Sequence, residues 1–484
     1  MNEQENSRPF AAEAQRKSAS QINEEMVNLI GQLEKGDLEA RIASAKALGA
    51  FGLQAKEAVP ALIKALNDSS EDVRCMSAWA LSKIGREAKE AVPALIEALK
   101  DRSEDIRCMS AFALGEIGPQ AKDAVPTLIE ALKDESKNVQ DRSACALKEI
   151  GPDAVPALIE ALSDESEEAQ VWSASALGEI GPRAKGAVPA LIEALKNERM
   201  VIRRESARAL CKIGREAREA VPALIEALKD KDTSVRELSA SALGKIGSEA
   251  KEAVPALIEA LKDVGEPALW PFRWVSAEAL GKIGPGARDA VPALIEALKD
   301  SDVALRERSA EALGELGAKA KQAVPALIEV LLKDERVGSA SAEALGKIGR
   351  EVKEVVPALI ETLKDKGLGG RGSCAWALGV IRPLEVEDAV AALVGALNDD
   401  DADVRRQSAS ALGWMGFEAE DAVPALIEAL KDNDAGVRRQ SAWALGRIGA
   451  EAKDAVPALM EALEDNDADV RQESDRAIRQ IESD

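Results

Sequence analysis

An Ala-Val-Pro triplet, or a close variant of it, returns along this chain at a nearly fixed interval. That regularity constrains the fold more than any other feature. The proline falls at Pro60, Pro93, Pro126, Pro156, Pro189, Pro222, Pro255, Pro292, Pro325, Pro357, Pro424 and Pro457, with Ala391 standing in once. The prevailing spacing is 33 residues, as from Pro60 to Pro93 to Pro126. A period of this length belongs to stacked supersecondary units that bury their apolar faces only against neighbours. Length alone would suggest about three domains. The repeat instead predicts one array growing along a single axis.

Each period holds two helical patterns. In AVPALIEALKD, Val92, Leu95, Ile96 and Leu99 fall on one helical face. Pro93 sits in the first turn, where its missing N–H costs nothing. Glu97 and Lys100 lie outside that stripe and can pair along the surface. The second pattern is VRCMSAWALSKIG, in which Val73, Ser77, Ala78, Ala80, Leu81 and Ile84 form an apolar or small face. Gly85 closes it, as glycine does at a helix C-terminus. Asp and Ser in the intervening turn read as N-cap residues. Small residues along the second helix predict close helix approach.

Counting these pairs gives fourteen, from a degenerate first copy at 22–52 to a last at 455–484. The expected fold is all-α, a right-handed α-solenoid, or superhelix, of about fourteen helix pairs. Residues 1–21 are expected to form a flexible tail and 22–484 a single solenoid. Both ends read as caps: Glu24 and Glu25 add charge at the start, and Asp475 and Arg479 replace small residues at the end. Two irregularities stand out. Gly338 takes a slot that Arg usually holds, and GLGGRG follows at 367–372, so a soft point is expected within 334–372. A stretch around 263–272 gains residues and two prolines.

A Pro in the first helix, an Asp closing it and a Val-Arg opening the second together resemble the HEAT repeat. The chain is similar in particular to the bacterial branch related to phycobilisome-lyase HEAT-like repeats. The resemblance implies that the second helix lines a concave surface and that an Asp–Arg ladder links repeats. The matching positions include Asp68, Asp101, Asp134, Asp230 and Asp432, with Arg74, Arg107, Arg236, Arg405 and Arg438. Gln140 and Gln170 interrupt the ladder.

One position of the second helix varies in an informative way. Trp79, Phe112, Cys145 and Ser175 occupy it in successive repeats. Counting from the Arg slot as zero, core residues take −1, 3, 4, 7 and 10, and positions 1, 2, 5 and 9 face outward. Six of the seven Trp stand at these outward positions. Trp carries a large apolar area with one donor and is enriched in binding hot spots. Stacked helices lie roughly 10 Å apart, so equivalent slots should form rows. The N-terminal candidates are Cys75, Met76, Trp79, Met109, Phe112 and Trp172, with Cys108 beside them. The C-terminal candidates are Trp376, Val380, Arg406, Trp414, Arg439, Trp443 and Arg447, and Trp274 is a further outward candidate. Between them, Glu278, Glu307, Glu311, Glu315 and Glu343 form an acidic stretch suited to a basic partner segment.

Composition removes other classes. No His is present, so imidazole triads and the usual metal ligand sets are excluded. A net charge of −23 argues against nucleic acid or anionic lipid as the main partner. Aromatics are only 2% of the chain, so the core must be aliphatic. The five Cys are scattered, and no apolar leader or membrane-length run occurs, which makes the cytoplasm the expected location. The expected function is a non-enzymatic scaffold, without cofactor, that binds a protein or extended peptide along the second-helix face. A monomer is expected. The alternative implied by the resemblance is a phycobilin lyase or bilin-handling chaperone.

Overall fold

A computed structural model describes residues 19–263, 270–349, 354–366, 371–381 and 386–483. No strand occurs among them. Their contacts group the chain into two compact units, Met1–Ala242 and Leu243–Asp484. Each unit is a stack of helix pairs, and the described residues contain fourteen first helices and fourteen second helices in alternation. The architecture is an α-solenoid.

One repeat of the first unit shows how the sequence builds it. The first helix, Val92–Ala98, carries Pro in its first turn. It ends early: Lys100 and Asp101 donate to the carbonyls of Glu97 and Ala98, three residues back. The expected single helix over AVPALIEALKD therefore tightens into a turn after about two coils. Val92, Leu95, Ala98 and Leu99 are buried, whereas Ile96 is only half-buried, because the buried arc is centred on Leu95. The second helix, Glu104–Ile117, buries Ile106, Ser110, Ala111, Ala113, Leu114 and Ile117. Gly118 ends it at φ +70°, a conformation that favours glycine, and a 3-10 segment, Gly118–Ala124, leads into the next first helix.

Second helices approach one another through small residues. A Cβ on Gly115 would lie 3.2 Å from the Cα of Ala146 in the next repeat. The buried serine at position 3 bonds to its own helix in some repeats only; the hydroxyls of Ser110, Ser143, Ser173, Ser239, Ser309, Ser341 and Ser474 make no hydrogen bond within the chain. The Ser77 hydroxyl donates to the Val73 carbonyl at 2.7 Å, and Ser408 repeats this with Val404.

The turn between helices is held by aspartate more than by serine. Oδ1 of Asp68 accepts the Ser70 amide at 2.8 Å, and Oδ1 of Asp101 accepts that of Ser103 at 2.9 Å. Ser70 and Ser103 stand at the N-cap but make no capping bond. Ser103 instead donates to Glu71 of the preceding repeat at 2.6 Å. Ser136, Ser166, Asp302, Asp401 and Asp434 do cap their helices.

The same aspartates receive the ladder. Arg74 holds Asp101 through Nε at 2.9 Å while its Nη1 donates to the Asp68 carbonyl at 3.0 Å. In the first unit, Arg41–Asp68, Arg107–Asp134 and Arg203–Asp230 repeat the ion pair. In the second, Arg273–Asp300, Arg306–Asp334, Arg371–Asp399, Arg405–Asp432 and Arg438–Asp465 do so. Of the two arginine contacts, Gln140 and Gln170 retain the bond to the turn carbonyl, at 2.7 and 2.6 Å, and not the one to the next aspartate. Asp164, left without its arginine, is taken by Lys133 at 2.8 Å.

The irregular segments are partly described. The first helix before the Gly338 repeat runs Val324–Lys333, and the next helix begins at Glu335. Residues 350–353 and 367–370 of the expected soft point lie outside the described residues, as do 264–269 of the expected insertion and 1–18 of the expected tail. The first helix of the chain begins at Ala19, inside the segment expected as tail.

Candidate protein-interaction face

The exposure of one second helix fixes which positions can meet a partner. In Glu71–Ile84, Cys75, Met76 and Trp79 are half-buried and Lys83 is exposed, while Val73, Ser77, Ala78, Ala80, Leu81 and Ile84 are buried. None of the six outward Trp is sealed in the core. Trp79, Trp172, Trp274, Trp376 and Trp443 are half-buried, and Trp414 is 45% exposed.

In the first unit, Trp79 is braced from the preceding repeat. A Cβ on Gly49 would lie 2.7 Å from its Cε3, so the ring occupies space that only glycine leaves open. Lys83 places its ammonium over both Trp79 and Phe112, 5.7 and 5.9 Å from the ring centroids. Arg142 lies over Phe112 at 5.0 Å. Met76, Met109, Cys75 and Cys108, on the same two helices as Trp79 and Phe112, are half-buried. Trp172 is tethered by its indole N–H, which donates to Oε1 of Gln140 at 3.0 Å.

In the second unit, Trp414 and Trp443 meet edge to face, with centroids 5.6 Å apart and planes at 65°. Trp443 lies over Gly413 as Trp79 lies over Gly49: a Cβ there would be 2.6 Å from Cε3. Arg406 pairs with Asp403 at 2.5 Å, and Arg439 with Asp469 at 3.4 Å. Arg447 is exposed beside them. Trp376 stands on the helix Arg371–Ile381. Trp274 follows Arg273, whose side chain is committed to the Leu261 carbonyl and Asp300.

The acidic stretch is less available than its composition suggests. Glu278 pairs with Lys282, Glu311 with Arg308 and Glu315 with Lys347. Three of the five carboxylates are thus matched within the chain, and the charge offered to a basic segment falls accordingly.

Position counting missed several residues that shape this face. Lys83 and Arg142 matter through their place over aromatic rings. Gly49 and Gly413 matter through the rings they admit, and the Trp-over-Gly offset alone does not announce this, since at the same offset Gly346 faces Val380 and Ile381 and not the Trp376 ring. Phe417, 69% exposed, sits in the 3-10 segment Gly416–Ala422, outside any helical register.

The chemistry of the face is that of contact. All five Cys are free thiols. Burial, reinforced by Asp105, pushes the Cys75 thiol up to about 11, and burial pushes buried Cys374 up to about 12, so neither is a ready thiolate. No group of acidic or Cys side chains among the described residues could hold a metal ion. No described helix is long and apolar enough to cross a membrane.

Solved structures share this architecture. The chain is similar to Kap95 in its complex with Nup1, with 15% identity and a TM-score of 0.58 over 99% of this chain and 77% of that one. It resembles importin beta at 13% identity and a TM-score of 0.56, covering 98% and 75% of the two chains. It resembles Kap121p bound to Nup53p at 14% identity and a TM-score of 0.55, spanning 95% of this chain but 57% of that one. At such identities the likeness concerns the fold alone. No curated protein matches the sequence significantly. HEAT repeats are recognised over 27–107, 92–161, 155–218, 188–269, 266–346, 324–413 and 390–479. These matches do not distinguish the phycobilisome-lyase-like branch, but together they run through both units, and the chain belongs to the HEAT-repeat family.

Proposed function

We propose that this chain is a non-enzymatic scaffold that binds a partner protein, or an extended segment of one, along its second-helix face. The observation that carries this reading is the Trp414–Trp443 pair: two indoles in contact, at outward positions, on a chain with only 2% aromatic residues. Exposed Trp beside Arg is the composition of interface cores. The fold supports the reading, since the Kap95 and Kap121p structures it resembles are seen with Nup1 and Nup53p. The cytoplasm is the proposed location.

The test compares the full chain with the triple variant Trp376→Ala, Trp414→Ala and Trp443→Ala as baits in an extract of the native host. We expect specific capture by the parent and its loss in the variant, with the helical circular dichroism unchanged. Equal capture by both would remove this face as the site.

A further inference from the structure

The first unit contains a seat for an aromatic ring that the chain does not fill. Trp79 and Trp443 stand at position 5 of their helices, each over a glycine at position 8 of the preceding repeat, Gly49 and Gly413. Gly115 is the equivalent glycine on the helix that carries Phe112, and the residue at position 5 above it is Cys145. A Cβ on Gly115 would meet only Ala146, at 3.2, 3.5 and 3.7 Å, and no ring. Cys145 is exposed. Beside this position lies a cleft of about 360 Å³, lined by Phe112, Gly115, Cys145 and Ala146.

The rim of the cleft is cationic, against the charge of the whole chain. Arg86, Arg142 and Lys148 line it, opposed by Glu116 and Glu149. Lys148 pairs with Glu149 at 3.4 Å. The same Arg142 lies over the Phe112 ring, and Lys83 adds one more cation there. A ring entering this seat would stack beside Phe112 within reach of these cations, and carboxylates on either side of it would meet the rim.

We propose that this cleft receives an aromatic side chain from a partner segment whose flanking residues are Asp or Glu. The proposal rests on the scaffold reading and names the chemistry that one part of the face selects. A ring fits because the chain itself seats indoles at two equivalent sites, Gly49 and Gly413, although at a third, Gly346, Val380 and Ile381 take the place of the ring. Acidic flanks fit because the cations outnumber the carboxylates at the rim.

The experiment uses the full chain and short fluorescein-labelled peptides carrying one Trp between Asp and Glu residues, followed by anisotropy. Cys145→Trp supplies the missing ring from the chain itself, and Cys145→Ser leaves the seat empty. We expect the acidic Trp peptide to bind the parent and Cys145→Ser alike, and to bind Cys145→Trp about tenfold or more weakly. Replacing the peptide's Trp by Ala should cost a similar factor, and rising salt should weaken binding. Unchanged helical circular dichroism and melting would show that Cys145→Trp folds. Arg142→Glu gives an independent arm, weakening the acidic peptide and favouring a Lys-flanked one. Equal affinity for Cys145→Trp and parent, no binding to the parent, tighter binding of the Lys-flanked peptide by the parent, or a self-associated dimer dissolved by Cys145→Trp would each overturn the proposal. The Trp376, Trp414 and Trp443 triple variant should keep this peptide affinity, so failure of the indole face in the second unit and failure of the cleft are read separately.

Discussion

Trp443 lies across the backbone of Gly413 in the preceding repeat, in the space a side chain there would fill. Replacing glycine by alanine inside a helix normally stabilises by up to about 1 kcal/mol. Here the new Cβ would sit 2.6 Å from Trp443 Cε3 and 2.9 Å from the Ala444 Cα. A backbone atom cannot yield as a side-chain tip can, and overpacking of this kind costs about 1–3 kcal/mol. We expect Gly413→Ala to be destabilising on balance and to separate Trp443 from Trp414. The checks are a lower melting temperature and loss of the coupled indole signal in near-ultraviolet circular dichroism.

Gln140 works at both ends. Its amide nitrogen donates to the Asp134 carbonyl at 2.7 Å, and its oxygen accepts from Trp172 at 3.0 Å. Gln140→Ala removes both bonds and leaves two half-buried groups to find water, so a loss of about 1–2 kcal/mol is expected. The readouts are the denaturant midpoint and faster solvent exchange of the Trp172 indole proton. An unaltered indole signal would count against the tether.

Arg371 and Asp399 form the most buried rung of the ladder, their side chains only 8% and 6% exposed. The Arg371 hydrogen bond holds the Asp399 carboxyl below its ordinary 3.8, against an opposing effect of burial, and Arg438 does the same for Asp465. A carboxyl lowered in the folded state contributes stability above its unfolded value. That contribution is lost as pH falls through the lowered value. The ladder should therefore hold at neutral pH and weaken below about pH 4. Arg371→Ala should cost about 3 kcal/mol at neutral pH, since it strands a buried carboxylate. The gap from the parent should narrow at pH 3, and urea unfolding at the two pH values measures it.

The repeat with Gly338 in the arginine slot has no guanidinium at that position to bind the next turn. It therefore lacks a link that other repeats make, from Arg41–Asp68 to Arg438–Asp465. We expect amide hydrogen exchange in Glu335–Gly349 and Val355–Lys364 to be faster than in Ala402–Met415. Equal protection in the three helices would show that apolar packing alone sets stability there.

Much of the architecture was legible in the sequence because each repeat restates the same local rules. Proline at the helix start, glycine at φ +70° at the end of Glu104–Ile117, and the buried set Val73 to Ile84 all follow from period and residue type. The ladder positions were legible through the family resemblance; which residues pair was not stated by it, and the pairs lie 27 residues apart in Arg74–Asp101 but 28 in Arg306–Asp334 and Arg371–Asp399. Side-chain partners that cross repeats were harder to read. The capping serines were expected to bond their own helices, yet Ser103 makes no capping bond and donates to Glu71 of the preceding repeat.

By itself the sequence determined that this chain stacks helix pairs, which face of each is apolar, and where its indoles stand in the helical register. Only tertiary structure decided what surrounds each indole, since that depends on the residue the preceding repeat places beneath it. Glycine admits a ring at Trp79 and Trp443, and beside Gly115, with no ring above it, lies a cleft. Register is a property of one helix, whereas a seat is made by two.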